Sequence, residues 1–187
     1  MQPLKIIAIS DTHRNLTEEQ HEILAKHTPE VDIVITLGDT PLEYIRSRVD
    51  YGVLGNHDSW YGIEPEKNLH LKSVNVKGYT LAGLQGSIRY KDGNHIMYTQ
   101  EEAKQLQIPR ADILISHDSC YLNPEDDVHC GLEVLSEYIE KYKPLVHFHG
   151  HHHENKVYRI GNTLCVSVYK CVLATISCNH IFTETLF

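Results

Sequence analysis

The sequence predicts an α/β fold in which parallel strands come first and antiparallel strands close the chain. Two observations carry this. Short Ile- and Val-rich runs alternate with capped helical segments over residues 4–58 and again over 111–149. The stretches between and after them alternate apolar with polar residues around glycine turns. A third observation concerns function: His, Asp and Asn gather where the predicted strands stop.

Residues 4–10 (LKIIAIS) form a continuous apolar run, read as a buried strand that stops at Asp11-Thr12-His13. Thr17 with Gln20 three residues on is a capping box, so TEEQHEILAKH reads as a helix. Residues 31–37 repeat the strand signal and lead to Gly38-Asp39. Residues 41–48 read as a short helix with Pro41 at a permitted first-turn position. Residues 51–54 are a third strand reaching Gly55-Asn56-His57-Asp58. Residues 70–76 and 79–84 flank Lys77-Gly78 as an antiparallel pair, and Thr99 with Glu102 opens a capped helix over 99–107. Alternation then resumes: strand 111–116 ending at His117, helix 131–143, and strand 145–149 running into Gly150-His151-His152-His153. Residues 156–160 and 163–168 flank Gly161-Asn162, and with 172–177 they are expected as antiparallel strands closing a second sheet.

At 187 residues a single domain, 1–187, is the expectation. Hydrophobic residues at 41% and charged residues at 22% exclude disordered, collagenous and coiled-coil classes. Seventeen basic against 25 acidic residues give a net charge of −8, which argues against broad binding to nucleic acid or anionic membranes. The opening apolar run is too short for a signal-peptide core, and no run is long enough to span a bilayer. Cys120, Cys130, Cys165, Cys171 and Cys178 are odd in number and form no C-x-x-C pair, so neither a disulfide framework nor a zinc knuckle is indicated. A reducing cytoplasm fits this usage. Histidine is unusually frequent, at 14 residues.

Five polar clusters sit at the carboxyl ends of predicted strands: Asp11-x-His13, Gly38-Asp39, Gly55-Asn56-His57-Asp58, His117 and Gly150-His151-x-His153. Open α/β sheets bind ligands at that edge. Taken singly each cluster reads as a cap or a turn, so the recurrence is the signal. Two carboxylates, one amide and four imidazoles without a thiolate suit Mn, Fe or Zn, with Mn expected in vitro. Seven ligands exceed one tetrahedral ion. If Asp39 bridges, one ion takes Asp11, His13, Asp39 and His153, and the other takes Asp39, Asn56, His117 and His151. Two ions about 3.5 to 4 Å apart generate hydroxide near neutral pH and clamp the attacking and leaving oxygens of a phosphoryl displacement. Two dications less two carboxylates leave a local charge of about +2, which attracts phosphate to an otherwise acidic protein.

This ordered set of motifs resembles the calcineurin-like metallophosphoesterase superfamily over residues 11–153. The segment LQGSIRY (84–90) with YTQEE (98–102) is similar to its small single-domain bacterial and phage branch. The resemblance implies a four-layer α/β/β/α sandwich, a two-metal site with the ligands just named, and phosphoester hydrolysis by metal-bound hydroxide. It also implies that His57 contacts the scissile phosphate and protonates the leaving group, oriented by Asp58. Arg14 stands where the family commonly has a small residue; it either holds a phosphate oxygen in bidentate fashion or is a solvated surface arginine. Asp118-Ser119 replaces the frequent small-residue and proline turn. Arg89 lies in a Gly-rich connection that the resemblance brings near the site, and His129 lines either the substrate site or the surface. His147 and His149 read as core or supporting residues, His152 as pointing away from the ligands, and Tyr90 as packing. The expected substrate is a small nucleotide-like phosphodiester. The rivals are a phosphomonoesterase or protein phosphatase, then a nuclease, which lacks a basic stripe here, then a non-catalytic scaffold of the same fold.

Overall fold

The run LKIIAIS forms β1 (Leu4–Ser10), in which every residue but Lys5 is buried. Thr17 and Gln20 cap one another through side chain and backbone at 3.3 and 3.0 Å, and α1 (Glu18–His27) follows. Chain order continues with β2 (Ile33–Thr36), β3 (Tyr51–Gly52), β4 (Ser73–Val76), β5 (Tyr79–Leu84) and the short pair β6 (Ser87–Ile88) and β7 (Met97–Tyr98). Then come α2 (Gln100–Lys104), again with its capping box, β8 (Ile113–Ser116), α3 (Glu133–Tyr142) and β9 (Val146–His149). The last elements are β10 (Lys156–Ile160), β11 (Thr163–Ser167), β12 (Lys170–Ile176) and β13 (Ile181–Thr185). This computed structural model describes residues 2–41, 46–59, 62–93, 96–177 and 180–187. Part of the expected 41–48 helix, and Cys178, lie outside them; Arg46–Arg48 form a 3₁₀ turn.

The first sheet has the order β13-β12-β1-β2-β3, and the second β10-β11-β9-β8-β5-β4. β1, β2 and β3 run parallel in one, and β5, β8, β9 and β11 run parallel in the other. Strand alternation sorts their side chains. Leu4, Ile6 and Ala8 of β1 meet Leu81, Ile113, Ile115, Val146 and Phe148 of the second sheet in a shared core. Ile7 and Ile9 turn the other way, onto Leu24 of α1. On the far side of the second sheet, Ala82, Leu114 and Cys165 pack against Ala103 of α2 and Leu135, Tyr138 and Ile139 of α3. The result is helix, sheet, sheet, helix, as the four-layer sandwich requires. Each Leu or Ile fully buried between the layers stabilises the fold by roughly 1.5–3 kcal/mol. No helix among the described residues is long and apolar enough to cross a membrane.

The chain's end departs from the expectation of one closing antiparallel sheet. β10 and β11 form the expected hairpin, but β11 joins the second sheet parallel to β9. β12 crosses to the first sheet and pairs antiparallel along the whole of β1, from Leu4 opposite Ile176 to Ser10 opposite Lys170. The free edge of β1 needs a partner, and Val172, Ala174 and Ile176 face the shared core while Cys171 and Leu173 face α1. Alternation states that a strand has two faces; it does not state which sheet edge is open.

Leu24 is the buried residue of α1, so Leu24→Ala removes that helix's anchor to the sheet. The expected loss is about 2–5 kcal/mol of unfolding free energy, read from urea denaturation. A loss below about 0.5 kcal/mol would show that α1 is held by other contacts.

Candidate metal centre

The parallel strands of both sheets end at one edge, and the five motifs meet there. The turn out of β1 carries Asp11 and His13, that out of β2 carries Asp39, and that out of β3 carries Asn56 and His57. His117 follows β8, and His151 and His153 follow β9. Reaching a common point strains the backbone: Asp11 (φ 52°), His13 (50°), Asp39 (50°), His151 (68°) and His153 (50°) are all left-handed. Asp and His tolerate that region better than bulky residues, and such strain concentrates at functional sites. Glycines give the carboxylates room. A side chain at Gly55 would strike the Asp39 carboxylate, and one at Gly150 would strike Ser10 Oγ and Asp11 Oδ2.

The atoms converge in two groups, Asp11 with His13 and His153, and Asp11 with Asp39 and His117. Asp11 Oδ1 lies 3.8 Å from His13 Nε2 and 3.5 Å from His153 Nε2, and these two nitrogens are 2.9 Å apart. His117 Nε2 lies 3.6 Å from Asp39 Oδ2 and 2.8 Å from Asn56 Oδ1. Asp11 belongs to both groups, and Asp39, the shared ligand expected from the sequence, stands with Asp11 and His117 in the second. Asp39 Oδ1 accepts the backbone N–H of His57 at 2.8 Å.

Supporting bonds set the protonation states. His117 Nδ1 donates to the Leu37 carbonyl at 2.8 Å, which leaves Nε2 facing Asp39 and Asn56. His151 Nε2 donates to the Val128 carbonyl at 3.0 Å, and its own amide holds Asp11 Oδ2 at 2.8 Å. Burial, with His117 close by, depresses the His151 pKa to about 3, so this imidazole is neutral and carries a free lone pair on Nδ1. Its ring lies 5.1 Å from that of His117, outside the two convergent groups. Burial opposes ionisation of Asp11, but the nearby His153 imidazole, bonds from Ser10 and the His151 amide, and the charge of His117 outweigh it and hold the carboxyl at about 2. An ionised carboxylate therefore sits buried with Oδ1 unpartnered. That orphaned oxygen, ringed by imidazole nitrogens, fits a divalent cation.

The remaining candidates divide. His57 is exposed at the rim, with its ring 5.6 Å from that of His13. Asp58 Oδ2 accepts the amides of both Asp39 and Gly55 at 2.8 Å, tying two ligand loops together; burial raises its pKa. His129 lies against His151 and His152 at 5.1 and 5.3 Å and bonds Asp126. Arg14 lines a cleft beside His13, while the Arg89 guanidinium pairs with Glu102 at 2.7 Å. His147 and His149 are buried on Ser116 and Tyr158 at 2.6 and 2.9 Å, and His152 bonds Ser119, away from the convergent atoms. Asp118 accepts the amides of Ile88 and Ser119, anchoring β6 to the turn after β8.

Sequence reasoning missed Tyr90. Its hydroxyl accepts from Asn56 Nδ2 at 3.0 Å, which turns the amide oxygen of Asn56 toward His117. Its only signal was membership of the LQGSIRY segment.

A profile described as the calcineurin-like phosphoesterase superfamily domain matches residues 4–168. The chain belongs to this superfamily. An uncharacterised protein of Haemophilus influenzae is 25% identical to this calcineurin-like chain, over 68% of it and 72% of the relative. A solved structure from Thermus thermophilus superposes with a TM-score of 0.68 at 16% identity, covering all of both chains. An archaeal phosphodiesterase superposes at 0.55 with 15% identity, covering 97% of this chain and 99% of its own. These likenesses establish the metallophosphoesterase fold. The superfamily is metal-dependent, and the acceptor set described above is suited to that role.

Tyr90→Phe keeps the ring and removes the bond that orients Asn56. Loss of a group that orients a ligand typically costs about 10- to 100-fold in metal affinity, so calorimetric titration with Mn²⁺ should show weakened binding. Unchanged affinity at every site would remove Tyr90 from the centre.

Proposed function

We propose that this phosphoesterase is a phosphodiesterase for small nucleotide-like substrates, working with two divalent ions, manganese among those that serve in vitro. The observation that carries the reading is the unpartnered, ionised Asp11 Oδ1 among the converging nitrogens, with His57 exposed beside it. When bound, divalent ions supply Lewis acidity toward the phosphoryl oxygens and lower the pKa of the attacking water. The chain's own residues do the rest. Asp58 holds the Asp39 and Gly55 amides, and Asp39 in turn holds the His57 amide, so the His57 backbone is tied to the ligand loops. From there His57 contacts a phosphoryl oxygen and gives a proton to the departing ester oxygen.

A preference for diesters is supported by two separate clefts that border different residues of the ligand set. One, of about 570 Å³, is lined by Tyr90, which touches Asn56. The other, of about 430 Å³, is lined by His13. A diester has two arms to seat; a monoester has one. The net charge of −8 favours short substrates over long nucleic acid. The four free, buried cysteines of the described residues support a reducing, cytoplasmic setting.

The test is kinetic. Mn²⁺-treated protein should hydrolyse bis(p-nitrophenyl) phosphate faster than p-nitrophenyl phosphate; the reverse order would return the reading to a phosphomonoesterase. His57→Ala should retain its metal and lose roughly 10²- to 10⁴-fold in kcat on an alkyl leaving group, and less on nitrophenolate, which departs without a proton. Equal losses on both would leave His57 with phosphate contact alone.

A further inference from the structure

The two clefts beside the centre differ in charge. The larger carries Asp92, Asp126 and Asp127. Of its cations, Arg89 pairs with Glu102, while Lys91 lies over the Tyr90 ring at 5.0 Å beside these carboxylates. The smaller cleft is lined by His13, Arg14, Tyr169 and Lys170, among others, with no carboxylate in its wall. Among the described residues, neither Arg14 nor Lys170 forms an ion pair.

This second cleft is held in place by the framework that holds the centre. Arg14 follows directly on His13, whose left-handed backbone is bonded through its amide to the Asp39 carbonyl at 3.0 Å. Lys170 stands opposite Ser10 at the end of the β1–β12 ladder, one residue before Asp11. It too is left-handed, at φ 67°. Its ammonium lies 5.3 Å over the Tyr169 ring, and that ring is stacked on His153 at 5.5 Å. A guanidinium and an ammonium without carboxylate partners thus flank the His13 and His153 side of the centre, on a protein of net charge −8. The N-terminus of α1 also reaches this cleft, but it is satisfied by Thr17 and Gln20 and begins with Glu18 and Glu19. The two cations are therefore the anion-seeking groups of this wall.

We propose that the cleft of Arg14 and Lys170 is a subsite for a second, terminal phosphate on the substrate, carried on the arm opposite the one seated in the acidic cleft. The inference rests on the phosphodiesterase reading and names its substrate class: a diester bearing a terminal phosphomonoester, such as a 5′-phosphorylated dinucleotide, over the same diester without it. Arg14 supplies a bidentate fork for phosphate and Lys170 a point charge. The acidic cleft turns a second phosphate away and leaves Tyr90 and Tyr121 to face the uncharged arm.

The test compares the dinucleotides ApA and pApA, which differ only in the terminal phosphate. In Mn²⁺-treated protein, calorimetric affinities for the hydrolysis-resistant phosphorothioate forms should differ by about tenfold or more in favour of pApA, the worth of a charge-assisted contact. The same ratio should appear in kcat/KM for the natural diesters. Arg14→Gln and Lys170→Gln, whose unchanged melting curves would report intact folding, should each shrink the ratio, and the double variant should bring it near one. Equal affinities in the parent protein, absence of binding by either dinucleotide, or a ratio that survives in the double variant would overturn the subsite. If pApA binds more tightly and neither natural dinucleotide is cut, the subsite stands and the phosphodiesterase reading fails.

Discussion

The buried carboxylate of Asp11 organises the edge where the two sheets meet. One carboxylate oxygen is fully engaged by the Ser10 hydroxyl and the His151 amide, while the other is buried without a hydrogen-bond donor. Burying an ionised carboxylate without a partner costs several kcal/mol, and the surrounding bonds keep this one ionised. The cost is tolerable where a cation joins the oxygen. Much of the local architecture serves that outcome: Gly150 is small because its side chain would meet Asp11, and β12 is antiparallel to β1 so that the strand ending in Asp11 is paired on both edges.

The same demand explains the backbone. Each sheet delivers its ligands from different strands, and straight continuation would carry them past one another. Five of the seven candidate ligands turn through left-handed conformations instead. Such turns hold only when neighbours fix them, and here the fixing bonds link one motif to another: the Asp11 amide to the Gly38 carbonyl, the His13 amide to the Asp39 carbonyl, and Asp58 to the Asp39 and Gly55 amides. The ligand loops are therefore cross-linked to one another by hydrogen bonds, the kind of support that a precisely placed ligand set requires.

How much of this was legible in the sequence follows from the range of each interaction. β1, both capping boxes and the β4–β5 turn depend on neighbours a few residues apart, and the structure reproduces them. The placement of β12 depends on which sheet edge is left open, a question of contacts more than 150 residues apart in the chain, and alternation is silent on it. In the site, the strand-end residues stood out because polar clusters rarely follow apolar strands so regularly. Asp11 as the carboxylate common to both groups, Tyr90 behind Asn56 and Lys170 beside Asp11 each depend on side-chain direction across elements. Spacing alone could not supply that.

On the reading proposed above, the convergent residues hold two cations, and Asp11, which belongs to both groups of acceptor atoms, faces each of them. Elemental analysis of the protein after saturation with Mn²⁺ and removal of excess tests this most directly. Two ions per chain are expected in the parent protein, and loss of both, or a large weakening of both, in Asp11→Ala. One ion per chain at saturation, or an Asp11→Ala protein that retains two, would contradict it.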